Sequence, residues 1–148
     1  MCHMENLSSV METTGKCPAV DREHDLITKT ITGLHNAVID GRGREVIVPL
    51  LDLLARFCAE HFAGEEAAMK ACGYPGLAAH AAAHERLLRR LLILREYAKD
   101  DAAPTIVDTM ELLGWMAEHT DRYDRMASLS IQEAVAAARM ETAAAGAV

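Results

Sequence analysis

The chain has 148 residues, a net charge of −7, and is 51% apolar but only 4% aromatic. That length suits one domain whose core needs no disulfide staples. The acidic balance disfavours nucleic acid or an anionic membrane as the main partner, and no apolar run approaches the roughly 18 residues of a membrane span.

Ala and Leu dominate and β-branched runs are scarce, so the expected fold class is all-α. Met1-Cys2-His3-Met4-Glu5 lacks the basic stretch and apolar core of a secretory leader, and a cytoplasmic location is expected. Cys2, Cys17, Cys58 and Cys72 form no C-x-x-C pair and read as free thiols in a reducing compartment.

Residues 1–19 hold Ser, Thr, Gly and Pro and are expected to form a flexible arm. Asp21 is a candidate N-cap for a first helix. His24, Ile27, Ile31, Leu34 and Val38 then recur at spacings of 3 and 4, a bundle seam. Gly41-Arg42-Gly43 ends that helix. A second helix starts near residues 44–48, with Pro49 in its first turn or at a kink. Its stripe is Leu50, Leu54, Phe57, His61, Glu65 and Ala68. Gly73-Tyr74-Pro75-Gly76 makes a turn.

The third helix carries Leu77, His80, His84, Leu87, Leu91, Leu94 and Ala98, again at 3 and 4. The fourth runs from about Pro104 to Met126, with Leu112, Met116, His119, Tyr123 and Met126 on one stripe. Ser130-Ile131-Gln132-Glu133 fits a capping box and predicts a separate short helix in the Ala-rich tail. The expected layout is an N-terminal arm (1–19), an up-down-up-down antiparallel four-helix bundle (20–127) and a C-terminal tail (128–148).

Seven candidate metal ligands fall on or beside these stripes: His24, His61, Glu65, His80, His84, His119 and Asp124. A buried polar group costs several kcal/mol, on the order of 2–7, unless it is paired or ligates something. His61 and Glu65 are one turn apart, as are His80 and His84. Asp124 lies five residues after His119, a spacing that swings it sideways, towards a bridging position.

His24 and His80–His84 stand near helix starts; His61–Glu65 and His119–Asp124 stand near helix ends. Antiparallel order brings all seven to one pole. His35 is eleven residues beyond His24, about 16 Å along the axis, and is expected to be structural or solvent-facing. Seven donors exceed the needs of one tetrahedral zinc. Neither E-x-x-H nor H-E-x-x-H occurs, which argues against a ferritin-like centre and a zinc peptidase.

Val20-Asp21-Arg22-Glu23-His24, His61-Phe62-Ala63-Gly64-Glu65-Glu66, Gly73-Tyr74-Pro75, His80-x-x-x-His84 and Trp115-Met116-Ala117-Glu118-His119 through Asp124 resemble the bacterial hemerythrins over residues 20–126. The resemblance implies two non-haem iron ions. His80, His84 and His119 would hold one, and His24 and His61 the other. Glu65, Asp124 and a solvent-derived oxo or hydroxo group would bridge them. It implies reversible dioxygen binding as a carrier, store or sensor rather than an enzyme. The alternatives are a di-iron enzyme acting on peroxide or nitric oxide, and an iron-handling protein.

Leu50, Leu54, Leu87, Leu113 and Trp115 are candidates for a dry lining. Thr120 stands where the family usually has a bulky aliphatic residue.

Overall fold

The structure, a computed structural model, describes residues 18–146 and is helical throughout apart from short turns. The helices are α1 (Pro18–Ile39), α2 (Arg44–Ala71), α3 (Leu77–Lys99) and α4 (Ile106–Glu118). A π-helical turn (His119–Asp124) then leads without a break into α5 (Arg125–Ala145). Successive helices run antiparallel, α1 packing on α2 and α4, and α2 on α3. This is the expected all-α, up-down-up-down bundle.

Short turns enforce the antiparallel order. Gly41 takes φ 63°, and Arg42 N donates to Ala37 O at 2.9 Å, which closes the end of α1. Gly73 takes φ 67°, and Tyr74 N donates to Met69 O at 2.9 Å, closing α2 in the same way. Both are left-handed C-terminal caps, a conformation glycine adopts without steric cost. Asp101 fills the equivalent place after α3 at φ 61°.

Four expectations at helix ends need correction. α1 begins at Pro18, so Asp21 lies inside it and does not cap it. Pro suits the first helical position because its missing N–H would have no partner there. Pro49 sits in the second turn of α2, where it removes one helical rung. The capping box lies at α4, not at Ser130: Asp108 N donates to Thr105 Oγ1 at 3.2 Å, and Thr105 N donates to Asp108 Oδ2 at 2.7 Å. Ser130 is in the interior of α5, whose Ala-rich sequence continues the helix started by α4.

The core follows the 3–4 seam. Ile27, Ile31 and Leu34 of α1 meet Leu51 and Leu54 of α2 and Leu87, Leu91 and Leu94 of α3. The stripe read for α4 breaks at one place: Met126 is 60% exposed, and Ala127 is buried instead. The π-turn inserts one residue into the helical count, so the inward face moves one position along. His35 stays out of the histidine cluster; its Nδ1 donates to Thr109 Oγ1 at 2.7 Å, tying α1 to α4.

Asp108 both caps α4 and pairs with Arg90 of α3. Asp108→Ala should lower unfolding free energy by about 1–2 kcal/mol, read as a reduced urea midpoint with an unchanged m-value.

Candidate metal centre

All seven expected residues converge at the pole where α1 and α3 begin and α2 and α4 end. α1 supplies His24, α2 supplies His61 and Glu65, and α3 supplies His80 and His84. The π-turn supplies His119 and Asp124. Four of the five histidines, all but His24, are under 4% exposed.

The donor atoms fall into two groups. Those of Glu65, His80, His84, His119 and Asp124 lie within 4.8 Å of one another, as do those of His24, His61, Glu65 and Asp124. The two carboxylates belong to both groups, and each turns one oxygen to either side. Glu65 Oε1 is 3.2 Å from His61 Nε2, while its Oε2 is 3.2 Å from His84 Nε2. Asp124 Oδ2 is 3.1 Å from His24 Nε2; its Oδ1 is 2.9 Å from His119 Nε2 and 3.1 Å from His80 Nε2.

The π-turn explains how Asp124 reaches this position. In an α-helix, residues five apart point in different directions. The i→i+5 bonding of a π-turn widens the coil and returns the fifth residue to the same face. The sequence reading, which had Asp124 reaching sideways from an α-helix, is corrected on this point.

The atoms fit a pair of cations. His119 Nε2 lies 3.0 Å from His80 Nε2 and 2.9 Å from His84 Nε2. Neutral imidazole nitrogens facing one another repel unless something positive lies between them. Nitrogens held about 2.0–2.1 Å from one ion at right angles would stand about 3 Å apart. Among the described residues, His24 Nε2, His61 Nε2, Glu65 Oε2 and both Asp124 oxygens are buried with no hydrogen-bond partner. They approach other members of the cluster without hydrogen-bond geometry, so these donor atoms converge on shared centres.

Electrostatics follow from this crowding. Burial pushes the Glu65 carboxyl up, but His24, His61, His80 and His84 outweigh it and hold the group well below the usual carboxylate range. Asp124 is likewise held low, by His119, His24 and His80 against the effect of burial. Burial lowers His24 and His80, yet Asp124 and Glu65 raise each to about 9. His61 is also raised, by Glu65 and Glu23 against burial.

Two further carboxylates orient the rings. His61 Nδ1 donates to Glu23 Oε2 at 2.6 Å, and His84 Nδ1 donates to Glu66 Oε1 at 2.8 Å. A bond at Nδ1 fixes the tautomer that turns the Nε2 lone pair inward. The sequence reading missed both roles. The signal was adjacency: Glu23 precedes His24 and Glu66 follows Glu65, so each shares a helix turn with a donor residue.

Aromatic rings wall the cluster. Phe62 stacks on His84 with centroids 3.8 Å apart, and Trp115 stacks on His119 at 4.4 Å. Tyr123 lies against His119 at 5.3 Å. Trp115 thus lies against the five-donor group, whereas a dry lining was expected around the two-histidine centre; Leu113 borders a cleft beside His24. Leu50 and Leu54 are eleven and seven residues before His61, about 16 and 10 Å down α2, and pack in mid-bundle. Cys58 is fully buried and its thiol is pushed up to about 12 by desolvation, so it packs as a neutral group.

A cleft of about 580 Å³ opens against His24 between α1 and α4, lined also by Thr28, Leu113, Met116, Thr120 and Arg125. It adjoins the group with four donors rather than the one with five.

Fold and cluster together define a four-helix bundle with a two-centre histidine–carboxylate site at one pole. Residues 18–127 match the Hemerythrin HHE cation binding domain, and the chain belongs to the hemerythrin family. It is 35% identical over 112 residues to a bacteriohemerythrin of Ralstonia nicotianae, covering 75% of this chain and 81% of that one. A bacteriohemerythrin of Methylococcus capsulatus is 29% identical over 107 residues, covering 72% and 81%. The crystal structure of a wild-type hemerythrin superposes with a TM-score of 0.70 at 26% identity, over 76% of this chain and 87% of that one. No helix among the described residues is long and apolar enough to cross a membrane.

With His24 and His80 raised to about 9, both carry protons at neutral pH before any ion arrives. Metal loading at pH 7 should therefore release about two protons or more per chain. Apparent affinity should fall as pH drops, because ions and protons compete for the same nitrogens. Titration calorimetry in buffers of different ionisation enthalpy measures the release; loading with no proton release would contradict this charge assignment.

Proposed function

We propose that this protein binds dioxygen reversibly at a non-haem di-iron centre and serves as a carrier, store or sensor. The observation that carries the reading is the unequal donor count around two shared carboxylates. His80, His84 and His119 would hold one iron. His24 and His61 would hold the other, leaving it one donor short on the side of the cleft. Glu65 and Asp124 would bridge the pair.

Imidazole and carboxylate donors together suit iron. A ferrous pair would supply two electrons to dioxygen and take them back on release. The chain's own residues do the rest. Glu23 and Glu66 hold His61 and His84 in the required tautomer. Phe62, Trp115 and Tyr123 keep bulk water from the five-donor side, which limits side reactions. The functional unit is residues 20–127, with 128–148 an appended tail, acting in the cytoplasm without nucleic acid.

The cleft favours one second reading. Its polar residues Thr28, Thr120, Asp121 and Arg125 can bring water and protons to the open side. That environment suits a di-iron enzyme acting on peroxide or nitric oxide.

Metal analysis should give about two irons per chain. The reduced protein should gain a visible charge-transfer band in air and lose it on deoxygenation. Rapid peroxide turnover without a reversible band would select the second reading, and uptake of one zinc with no iron would overturn both.

His61→Ala should lose metal and with it the metal-linked stability, about 4 kcal/mol where free metal exceeds Kd a thousandfold. His35→Ala should leave iron content unchanged. Equal loss of iron in the two variants would refute the ligand assignment.

A further inference from the structure

The two halves of the cluster differ in their contact with solvent. His80, His84 and His119 are at most 2% exposed, and the outer Nδ1 atoms of His80 and His119 are buried as well. Glu66 caps the back of His84, and Phe62, Trp115 and Tyr123 stack against the rings. The His24 side chain is 13% exposed, the most open of the five imidazoles, and it lines the cleft between α1 and α4.

We propose that this cleft is the route by which metal ions enter and leave, so that the four-donor centre fills last and empties first. The inference rests on the two-metal reading of the cluster. A cation cannot cross an apolar wall without losing its hydration at great cost, and stacked rings close the five-donor side in this way. The cleft keeps an ion solvated. Thr28 and Thr120 line it with hydroxyl groups that can replace waters. Asp25 and Asp121 also stand in its wall, paired to Lys29 at 2.7 Å and to Arg125 at 3.6 Å.

The shared carboxylates complete the path. Asp124 turns Oδ2 to His24 and Oδ1 to His80 and His119, while Glu65 turns Oε1 to His61 and Oε2 to His84. An ion met by His24 and His61 can therefore pass from one oxygen of a carboxylate to the other and reach the five donors without being released. The larger donor set holds it more firmly. A second ion then takes the four-donor place and stands between the first ion and the cleft.

The test follows metal exchange on the full chain, using Co(II), whose absorption reports its coordination. Protein loaded with Co(II) is mixed with excess Zn(II), and the second Co(II) to leave is timed. Its departure should slow in proportion as free Zn(II) rises, because Zn(II) keeps the four-donor place filled. A rate that stays constant or increases with Zn(II) would overturn the proposed order. Ala117→Trp and Thr28→Trp narrow the cleft from opposite walls, and both positions are exposed, so neither change touches the core. Each should slow Co(II) uptake by about tenfold and leave the final metal content unchanged. Uptake at the wild-type rate in both variants would overturn the route while leaving the two-metal reading intact. Uptake of only one ion by the wild-type chain would instead defeat that reading, and this inference with it.

Discussion

Two carboxylates and five imidazoles share one buried pole, and the rest of the molecule is arranged around that expense. In a medium of low polarity each unpaired group of this kind costs several kcal/mol. Protons on His24 and His80 offset only part of this charge, because Nε2 atoms still face one another and Glu65 Oε2 and both Asp124 oxygens lack hydrogen-bond partners. Cations placed among them remove both penalties together. The binding free energy of such ions would then become part of the folding free energy.

Helical architecture sets the position of each donor. Three of the four antiparallel helices contribute donors near the pole, and α4 delivers its pair through the π-turn that follows it. That turn is a local departure from α geometry with two consequences. It aligns His119 with Asp124, and it shifts the buried face of everything after it by one residue. Glu23 and Glu66 then link neighbouring helices through the histidines they orient, α1 to α2 and α2 to α3. The same bonds that set the rings thus reinforce the helix pairing.

The walls of the cluster are uneven, and this bears on its chemistry. The five-donor side is enclosed by stacked rings. The four-donor side meets a cleft with hydroxyl and charged groups along it. The cleft thus gives solvent access to the four-donor group rather than the five-donor group. Thr28, Thr120 and Arg125 line that cleft and make it polar.

Much of this was legible in the chain itself. Spacing of 3 and 4 fixed three helices and the α3 stripe residue by residue, because helical period is a local property. Chain order alone placed His24, His61, Glu65, His80, His84, His119 and Asp124 at one pole, since antiparallel packing converts position along a helix into height in the bundle. The tertiary structure decided what depends on contact between helices. The cross-helix carboxylates Glu23 and Glu66 look like ordinary surface acids in sequence. The π-turn has no residue signature of its own and is held by the packing around His119. The unbroken run into α5 overrode a plausible cap at Ser130, because a helix already growing through Asp124 extends more easily than a new one begins.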